Sequence, residues 1–427
     1  MRWTASILLT FAFTVFAPAA VIAQQRGDVD SASPNDWPRF PVSASDFAEF
    51  NRLETWTSPP VDLGAEGIAT LAFVRFNVFD ADTRIILADG AGQSELLLPE
   101  VALFAGAVAG RPDSNAFLSV SPFGVYGYVE IGARRRTISS GPSESGAPTL
   151  IFDPADVPAD MMQMSEFTCG TDTSAFMPRG PRAPREGTAG APPCRYARIA
   201  VETDYEYLAN PFGGNQSAAT AYVATLFGAV SQIYARDVNT RIYVSYLRLW
   251  TTPNDPWTGG DTPSQLDQFR IYWDDNMDGE FRHLTHFLSA RGLGGGIAYL
   301  DALCHFSIRY GLSANLAGYF PYPIQNNSSQ NWDLMVVSHE IGHNFGAPHT
   351  HDMGIDYCAY GDCSVTPNGT IMSYCHLCSG GMANVRMEFH PRTINEAIMP
   401  YVENEAPCNL EVIPPIFIAG GATASTW

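Results

Sequence analysis

Residues 339 to 349 read His-Glu-Ile-Gly-His-Asn-Phe-Gly-Ala-Pro-His, and they constrain the chain more than any other segment. If the segment is helical up to about Phe345, His339 and His343 lie one turn apart on the same face. That spacing lets two imidazoles reach one metal ion, with Glu340 beside them at the edge of the face.

The residues that follow predict a sharp turn. Gly346 tolerates the left-handed conformation that ends a helix, and Pro348 cannot continue one. The turn would bring His349 round as a third nitrogen ligand. Three protein ligands and one open position are typical of a catalytic zinc, whereas a structural zinc is closed by four. The alternatives are histidines that only satisfy hydrogen bonds, or a metal site without activity.

A second motif follows downstream, Gly369-Thr370-Ile371-Met372-Ser373-Tyr374. Together the two motifs resemble the signature of the metzincin clan of zinc metallopeptidases, His-Glu-x-x-His-x-x-Gly-x-x-His followed by a methionine turn. The resemblance implies one catalytic Zn²⁺ bound by His339, His343 and His349. It also implies that Met372 lies beneath them as an apolar floor without binding the metal.

Residues 1–23 read as a secretory signal, with Arg2, an apolar run and Val21-Ile22-Ala23 as a cleavage site. The run is too short to span a bilayer, so we expect a secreted, extracellular protein without membrane insertion. Eight cysteines in an exported chain favour disulfides. The net charge of −20 argues against nucleic acid or an anionic membrane as a partner.

Residues 24–176 are interpreted as a β-rich propeptide domain. Short apolar runs separated by turn residues predict antiparallel strands: Ile68–Val78, Ile85–Leu87, Ala116–Val120 and Val125–Ile131. The glycine-containing stretch from Phe104 to Gly127 is similar to the propeptide of reprolysin (adamalysin-like) enzymes. An independent adhesive or carbohydrate-binding module is the alternative. Arg134-Arg135-Arg136 is interpreted as a solvated strand end and not as a processing site.

Residues 177–193 are rich in proline and glycine, which predicts an extended linker. Its arginines make it accessible to proteolytic maturation, so we expect the propeptide to be removed there. Upstream, Cys169-Gly170 resembles a cysteine switch, in which a propeptide thiolate occupies the open zinc position and inhibits the zymogen. Cysteine parity supports the alternative, a disulfide between Cys169 and Cys194.

Residues 194–409 are predicted to form an α/β catalytic domain with a mixed, mostly parallel sheet and an active-site helix, followed by a tail, 410–427. The alternation of predicted strands and helices indicates this class and matches the reprolysin order: strands at Arg195–Thr203, Arg241–Trp250 and His283–Leu288, helices at Ala218–Ala235 and Gln265–Trp273, and a last helix from Pro391. The active-site helix would begin at Asn331 or Asp333, either of which could cap it.

Gly294 to Leu300 resembles the edge strand that lines the metzincin cleft, although a glycine turn before an ordinary strand is an equal alternative. His283, His286 and His305 lack ligand spacing and are interpreted as structural or surface residues. Reprolysins place aspartate after the third histidine, so Thr350 is a departure. The resemblance also implies an acidic calcium ligand near the first strand. Arg198 stands at that position here, so the sequence leaves calcium binding open.

Six cysteines lie in or just beyond the cleft region. The resemblance implies a Cys304–Cys408 disulfide, and the other four, Cys358, Cys363, Cys375 and Cys378, allow three connectivities. Cys375-His376-Leu377-Cys378 could also suggest a second zinc or a redox pair, but disulfides are favoured in an exported chain.

These residues predict a secreted, monomeric zinc endopeptidase that acts on protein or peptide substrates and is inhibited by its own propeptide. Zinc would lower the pKa of its bound water from about 15.7 towards about 7, and Glu340 would accept the proton and pass it to the leaving amine. Tyr374 is a candidate donor to the oxyanion, with a core aromatic as the alternative. The alternative function is a secreted binding or adhesion protein with an inert metallopeptidase-like domain.

Overall fold

A computed structural model of the chain describes residues 37–157, 167–179, 194–323 and 331–413. The signal sequence, the linker from residue 180 and most of the tail lie outside the described residues. From Trp37 onward the chain clusters into one compact unit, with no division at the linker.

The N-terminal part is β-rich, as expected. Its strands and one short helix are β1 (Thr55–Thr57), β2 (Val61–Asp62), β3 (Ile68–Ala69), β4 (Leu71–Phe76), β5 (Phe79–Ala88), β6 (Gln93–Leu96), β7 (Ala102–Val108), β8 (Ser114–Ser121), β9 (Gly124–Ile131), β10 (Arg134–Ser139), β11 (Leu150–Phe152) and α1 (Phe47–Phe50). Seven strands form an antiparallel sheet in the order β1-β4-β7-β8-β9-β10-β11. The arginine run 134–136 begins β10, within this sheet.

The second part alternates strands and helices. Its elements are β12 (Thr168–Cys169), β13 (Cys194–Thr203), α2 (Tyr205–Phe212), α3 (Gln216–Val238), β14 (Thr240–Trp250), α4 (Thr262–Asn276), β15 (Leu284–Leu288), β16 (Gly295–Ala298), β17 (Tyr310–Ser313), α5 (Asp333–Asn344), α6 (Pro391–Thr393), α7 (Met399–Asn404) and β18 (Glu411–Ile413). The main sheet has the order β12-β16-β17-β15-β13-β14-β5-β6, and β18 pairs with β13. Strands β14, β13, β15 and β17 run parallel, whereas β16 is antiparallel to β17. The sheet is therefore mixed and mostly parallel.

Two N-terminal strands, β5 and β6, belong to the main sheet. The sequence instead predicts that residues 24–176 form a domain of their own. β4 ends at Phe76 in the N-terminal sheet, and β5 begins at Phe79 as the parallel neighbour of β14. Ile85 and Ile86 are both buried, which is typical of a strand covered on both faces. The chain changes sheets within two residues, and no turn signal in the sequence distinguishes this crossing from a hairpin.

Helix α3 crosses the interior of the molecule, and every residue from Ala218 to Ala235 is buried. Among the described residues it is the one helix long and apolar enough to cross a membrane, and it is enclosed by protein on all sides. A helix that is apolar around its whole circumference is expected at such a position.

The active-site helix α5 begins at Asp333, whose N–H donates to the side-chain oxygen of Asn331 at 3.0 Å, so one of the two predicted caps contacts the helix start. The N-cap position is Trp332, which has no side-chain cap. The Asp333 carboxylate instead accepts hydrogen bonds from the N–H groups of Ala317 and Gly318, both at 2.9 Å. Asp333 therefore fixes a loop against the helix start, a role that helix signals alone do not predict.

Three disulfides stabilise the C-terminal region. Cys304–Cys408 is present, as the resemblance implies, and the remaining pairs are Cys358–Cys375 and Cys363–Cys378. Cys375 and Cys378 thus bond to different partners, so the interpretation as a second zinc site or a redox pair is wrong. Among the described residues, Cys169 and Cys194 carry free thiols, and the alternative disulfide between them is not formed.

Candidate metal centre and cleft

Helix α5 carries His339 and His343 on one face, and their Nε2 atoms lie 3.1 Å apart. The Nδ1 atom of His339 bonds the carbonyl oxygen of Ile371, and that of His343 bonds the carbonyl of Ala347, both at 2.7 Å. A carbonyl can only accept, so each Nδ1 carries the proton and each Nε2 lone pair is left for a ligand.

The predicted turn places His349, the third histidine, beside the other two. Gly346 has a φ of +88°, and a Cβ there would lie 2.9 Å from both Asp301 and Tyr401, so only glycine fits without strain. After the turn, the His349 ring lies with its centroid 4.7 Å from that of His343 and 5.3 Å from that of His339. The local sequence thus folds as the spacing predicts.

The fourth group is Cys169. Its sulfur lies 3.3 Å from Nε2 of His343 and 3.4 Å from Oε2 of Glu340. The ligand atoms of Cys169, His339, His343 and His349 all lie within 4.8 Å of one another. The structure therefore brings the proposed switch cysteine to the same point as the three predicted metal ligands.

Burial controls the protonation of this cluster. It lowers the pKa of His339 and of His343 well below the usual value, so both rings are neutral and able to bind a metal. Burial also raises the pKa of Glu340 well above that of an ordinary glutamate. The carboxylate is a stronger base as a result, although bound metal would oppose this shift.

Residues 195–385 match the model of the reprolysin-type metallopeptidases of family M12. The match confirms the resemblance of this region to the reprolysin-like metallopeptidases. A snake venom metalloproteinase, TM-1 from Protobothrops mucrosquamatus, is 27% identical over 180 residues, which cover 41% of this chain and 81% of that protein. A crystal structure of metalloproteinase-II from Bacteroides fragilis aligns with a TM-score of 0.33 at 12% identity, over 67% of this chain and 79% of that one. A likeness at that level adds nothing on function.

The methionine turn of this reprolysin-like region passes directly under α5. Met372 is fully buried, and a Cβ on Gly342 would lie 2.8 Å from its sulfur. Glycine between the two helix histidines therefore lets the turn approach closely. The Met372 carbonyl accepts a hydrogen bond from the N–H of Thr350 at 3.1 Å, which joins the turn to the residue after His349.

Tyr374 points into the cleft and contacts the backbone of Cys169. Its hydroxyl donates to the Cys169 carbonyl at 2.8 Å and accepts from the Cys169 N–H at 3.2 Å. It also lies 3.4 Å from Nε2 of His349. Burial raises the pKa of Tyr374, so its hydroxyl stays protonated at neutral pH and remains a donor.

Strand β12 occupies the cleft by pairing in parallel with the edge strand β16, so the predicted edge strand is present. The Thr168 N–H donates to the Gly294 carbonyl at 3.3 Å, and the Gly170 N–H donates to the Gly296 carbonyl at 2.8 Å. A Cβ at Gly295 would overlap the Thr168 carbonyl, and one at Gly296 would overlap the carboxylate of Glu340. Gly295 thus leaves room for the backbone of Thr168, and Gly296 leaves room for the carboxylate of Glu340.

Residues 167–179, which we call the cleft segment, are held at further points that the sequence did not predict. The Phe167 ring packs on Trp332 with centroids 4.7 Å apart, and its carbonyl bonds Nε2 of His376 at 2.9 Å. Thr173 Oγ1 lies 2.9 Å from Nδ1 of His349 and 2.5 Å from Asp352. No spacing or motif in the sequence relates these pairs.

Most of the other histidines, and Arg198, contact neighbouring protein groups. His283 accepts a hydrogen bond from the N–H of Arg198 at 2.9 Å, and His286 is buried, which lowers its pKa to about 3. His305 is exposed, and His351 stacks on His349 with centroids 5.0 Å apart. Arg198 forms an ion pair with Asp80 at 3.2 Å, so a cation occupies the position at which an acid was expected.

Proposed function

We propose that the chain is a secreted zinc endopeptidase made as a zymogen and inhibited by its own cleft segment. The observation that carries the proposal is the convergence of Cys169, His339, His343 and His349 within 4.8 Å. The match of residues 195–385 to a metallopeptidase family and the predicted signal sequence support the reaction class and the export.

The donor set fits zinc. Three imidazole nitrogens and one sulfur are ligands that suit zinc, whereas magnesium and calcium prefer oxygen. Two of the imidazoles are oriented by hydrogen bonds from Nδ1 to backbone carbonyls, which is the usual support for metal-binding histidine. When bound, zinc supplies a Lewis acid that polarises the peptide carbonyl and acidifies water.

Glu340 is the proposed general base. Its carboxylate touches the sulfur of Cys169, so departure of that sulfur leaves room for a water molecule beside Glu340. Because burial raises its pKa, the carboxylate can accept a proton from the attacking water and return it to the leaving nitrogen. Gly296 keeps this carboxylate in place on the cleft side.

Tyr374 is the proposed donor to the tetrahedral oxyanion. Its hydroxyl lies 3.4 Å from Nε2 of His349, at the rim of the cluster, and is protonated because burial raises its pKa. While the cleft segment is bound, that hydroxyl is engaged by the Cys169 backbone. Removal of the segment frees it to donate to a substrate oxygen.

Strand β16 is the proposed site for the substrate backbone. The Gly294 and Gly296 carbonyls, which now accept hydrogen bonds from the cleft segment, are available to an extended peptide once that segment leaves. Cleavage in the linker would begin this release. The zymogen would then be inhibited in two ways, through the sulfur of Cys169 and through occupation of the edge strand.

The test is turnover of casein by the full chain after proteolysis in the linker. We expect activity that disappears with a chelator and falls by at least about a hundredfold in Glu340→Gln, in the range lost with a general base. Glu100→Gln, at an exposed glutamate, is the matched control and should keep full activity. Zinc bound in the expected one-to-one ratio without any turnover would instead support the binding-protein alternative.

A further inference from the structure

Helix α3 of the peptidase region is covered on one side by strands of the N-terminal region. Four residues on this side, Tyr222, Thr225, Gly228 and Arg236, contact the N-terminal sheet. Tyr222 packs edge-on against Tyr126 with centroids 5.8 Å apart, and Thr225 bonds Ser119 through their hydroxyls at 2.7 Å. These contacts are buried, so this side of the helix has no solvent-facing surface of its own.

The approach is closest at Gly228. A Cβ at this position would lie 3.1 Å from the Phe117 ring and 3.2 Å from Leu103, both in the N-terminal sheet. Further along the same side, Arg236 forms an ion pair with Glu130 at 2.5 Å. Residues 222, 225, 228 and 236 lie on one face of a helix, and each contacts the N-terminal region.

One continuous apolar core joins the two regions. The buried cluster that contains α3, β13, β14 and α5 also includes seven N-terminal residues: Val78, Phe79, Ile85, Leu103, Phe117, Tyr126 and Tyr128. Apolar burial is the main favourable contribution to association. A boundary between two separable domains would be expected to be smaller and more polar than this.

Strand β5 adds backbone pairing to this contact. It runs parallel to β14 over the register Tyr246↔Arg84 to Trp250↔Ala88. Without β5, β14 would be an edge strand with unpaired backbone groups, and such edges promote aggregation. An ion pair of 2.6 Å between Arg84 and Glu280 lies beside the same strands.

We propose that the N-terminal region, residues 37–157, is a permanent non-covalent subunit of the peptidase and is not a propeptide that leaves after processing. The surface that this region covers consists of one face of α3 and the edge of β14, both of which would be exposed without it. Inhibition is then confined to the cleft segment, whose contacts lie in the cleft and not on α3. A cut in the linker would release that segment from the cleft while the N-terminal region stays bound.

The test uses the full chain with inserted recognition sites for a sequence-specific protease, one within 158–166 and one within 180–193. The Glu340→Gln background removes self-cleavage, so the result does not depend on the proposed activity. After both cuts, we expect the N-terminal and catalytic fragments to co-elute from gel filtration in a one-to-one complex at physiological ionic strength. Separate elution of the two folded fragments would overturn the proposal.

A pair of variants locates the contact. Gly228→Leu should lower the urea concentration at which the cut fragments separate, because the side chain would meet Phe117 and Leu103. Ser217→Leu, at an exposed position of the same helix, is the matched control and should leave that urea concentration unchanged. Equal midpoints for the two variants would count against α3 as the contact surface. If Gly228→Leu does not fold, the co-elution result alone decides the proposal.

Discussion

The guanidinium of Arg179 lies against the carboxylate of Asp301, with Nη2 and Oδ2 2.5 Å apart. The Nε atom of Arg179 donates to Glu405 at 3.0 Å, and the guanidinium lies over the Tyr401 ring at 5.3 Å. Burial raises the pKa of Asp301, and the charge of Arg179 opposes that rise. The cleft segment is thus held ten residues downstream of Cys169 as well as at the sulfur.

Replacing Arg179 with alanine should weaken inhibition of the uncut chain. Loss of this partly exposed ion pair is expected to cost up to about 1 kcal/mol, which corresponds to an open population up to about fivefold larger. Alkylation of Cys169 and basal peptide turnover should both rise by that factor. Arg52→Ala, at an exposed arginine, is the control. Equal alkylation rates in the two variants would exclude Arg179 from the inhibitory contact.

Gly296→Ala should impair catalysis without unfolding the protein. The added Cβ would overlap the Glu340 carboxylate, which is the flexible end of a side chain and would move aside. We expect kcat to fall by about a hundredfold, as for a displaced general base, with zinc content and the urea midpoint nearly unchanged. Gly92→Ala, where a Cβ meets nothing within 4 Å, is the matched control. A kcat within twofold of the parent would refute this role of Gly296.

The predictable part of the site is the part encoded by short-range spacing. The four-residue interval between His339 and His343 and the glycine at 346 determine a helix and a turn, and the structure has both. The sequence also predicts strands β13, β14 and β15 of the main sheet closely, since buried strands give short apolar runs that are easy to recognise.

The unpredicted part consists of contacts between residues far apart in the chain. Thr173 and His349 are separated by 176 positions, and no periodicity relates them. The transfer of β5 into the main sheet is unpredictable for a similar reason, because an apolar run predicts a strand but not its neighbour. The sequence alone does not decide the role of Cys169, because cysteine parity favours a disulfide and the motif resemblance favours a zinc ligand.

Tyr374→Phe separates the two contacts proposed for the hydroxyl. In the uncut chain, loss of both hydrogen bonds to the Cys169 backbone should speed alkylation of that cysteine. In the activated enzyme, loss of an oxyanion donor should lower kcat by about a hundredfold. Tyr360→Phe, at a tyrosine that is 72% exposed, is the control. Unchanged turnover of Tyr374→Phe would remove this residue from the mechanism.

Chelation should change the reactivity of one thiol and not the other. Burial and the nearby Glu340 raise the pKa of Cys169, so in metal-free protein it is a neutral thiol at pH 7, whereas zinc would hold it as a bound thiolate. We expect Cys169 to resist alkylation with zinc bound and to react after chelation, because loss of the zinc–sulfur bond lets the cleft segment open and the exposed thiol ionise. Cys194, a half-buried free thiol outside the cluster, should react at the same rate in both conditions. Equal protection of Cys169 with and without metal would exclude it as a zinc ligand.

The buried carboxylate of Asp333 should make stability depend on pH. Burial raises its pKa from 3.8 to about 6 despite hydrogen bonds from Ala317, Gly318 and Tyr222. In the unfolded chain the group ionises near pH 4, so between about pH 4 and 6 the folded state binds more protons than the unfolded state. The contribution to stability is fully present below about pH 4, declines as pH rises, and is lost above about pH 6.

The shift of Asp333 corresponds to about 3 kcal/mol across this window, and Asp204, whose pKa is also raised to about 6, acts in the same direction. Urea unfolding of the full chain from pH 4 to pH 7 measures the slope. Asp333→Asn should reduce it by about one proton, because asparagine does not titrate. Asp82→Asn, at an exposed aspartate, should leave the slope unchanged. Identical slopes for Asp333→Asn and the parent would show that this carboxyl is already ionised in the folded protein near pH 4.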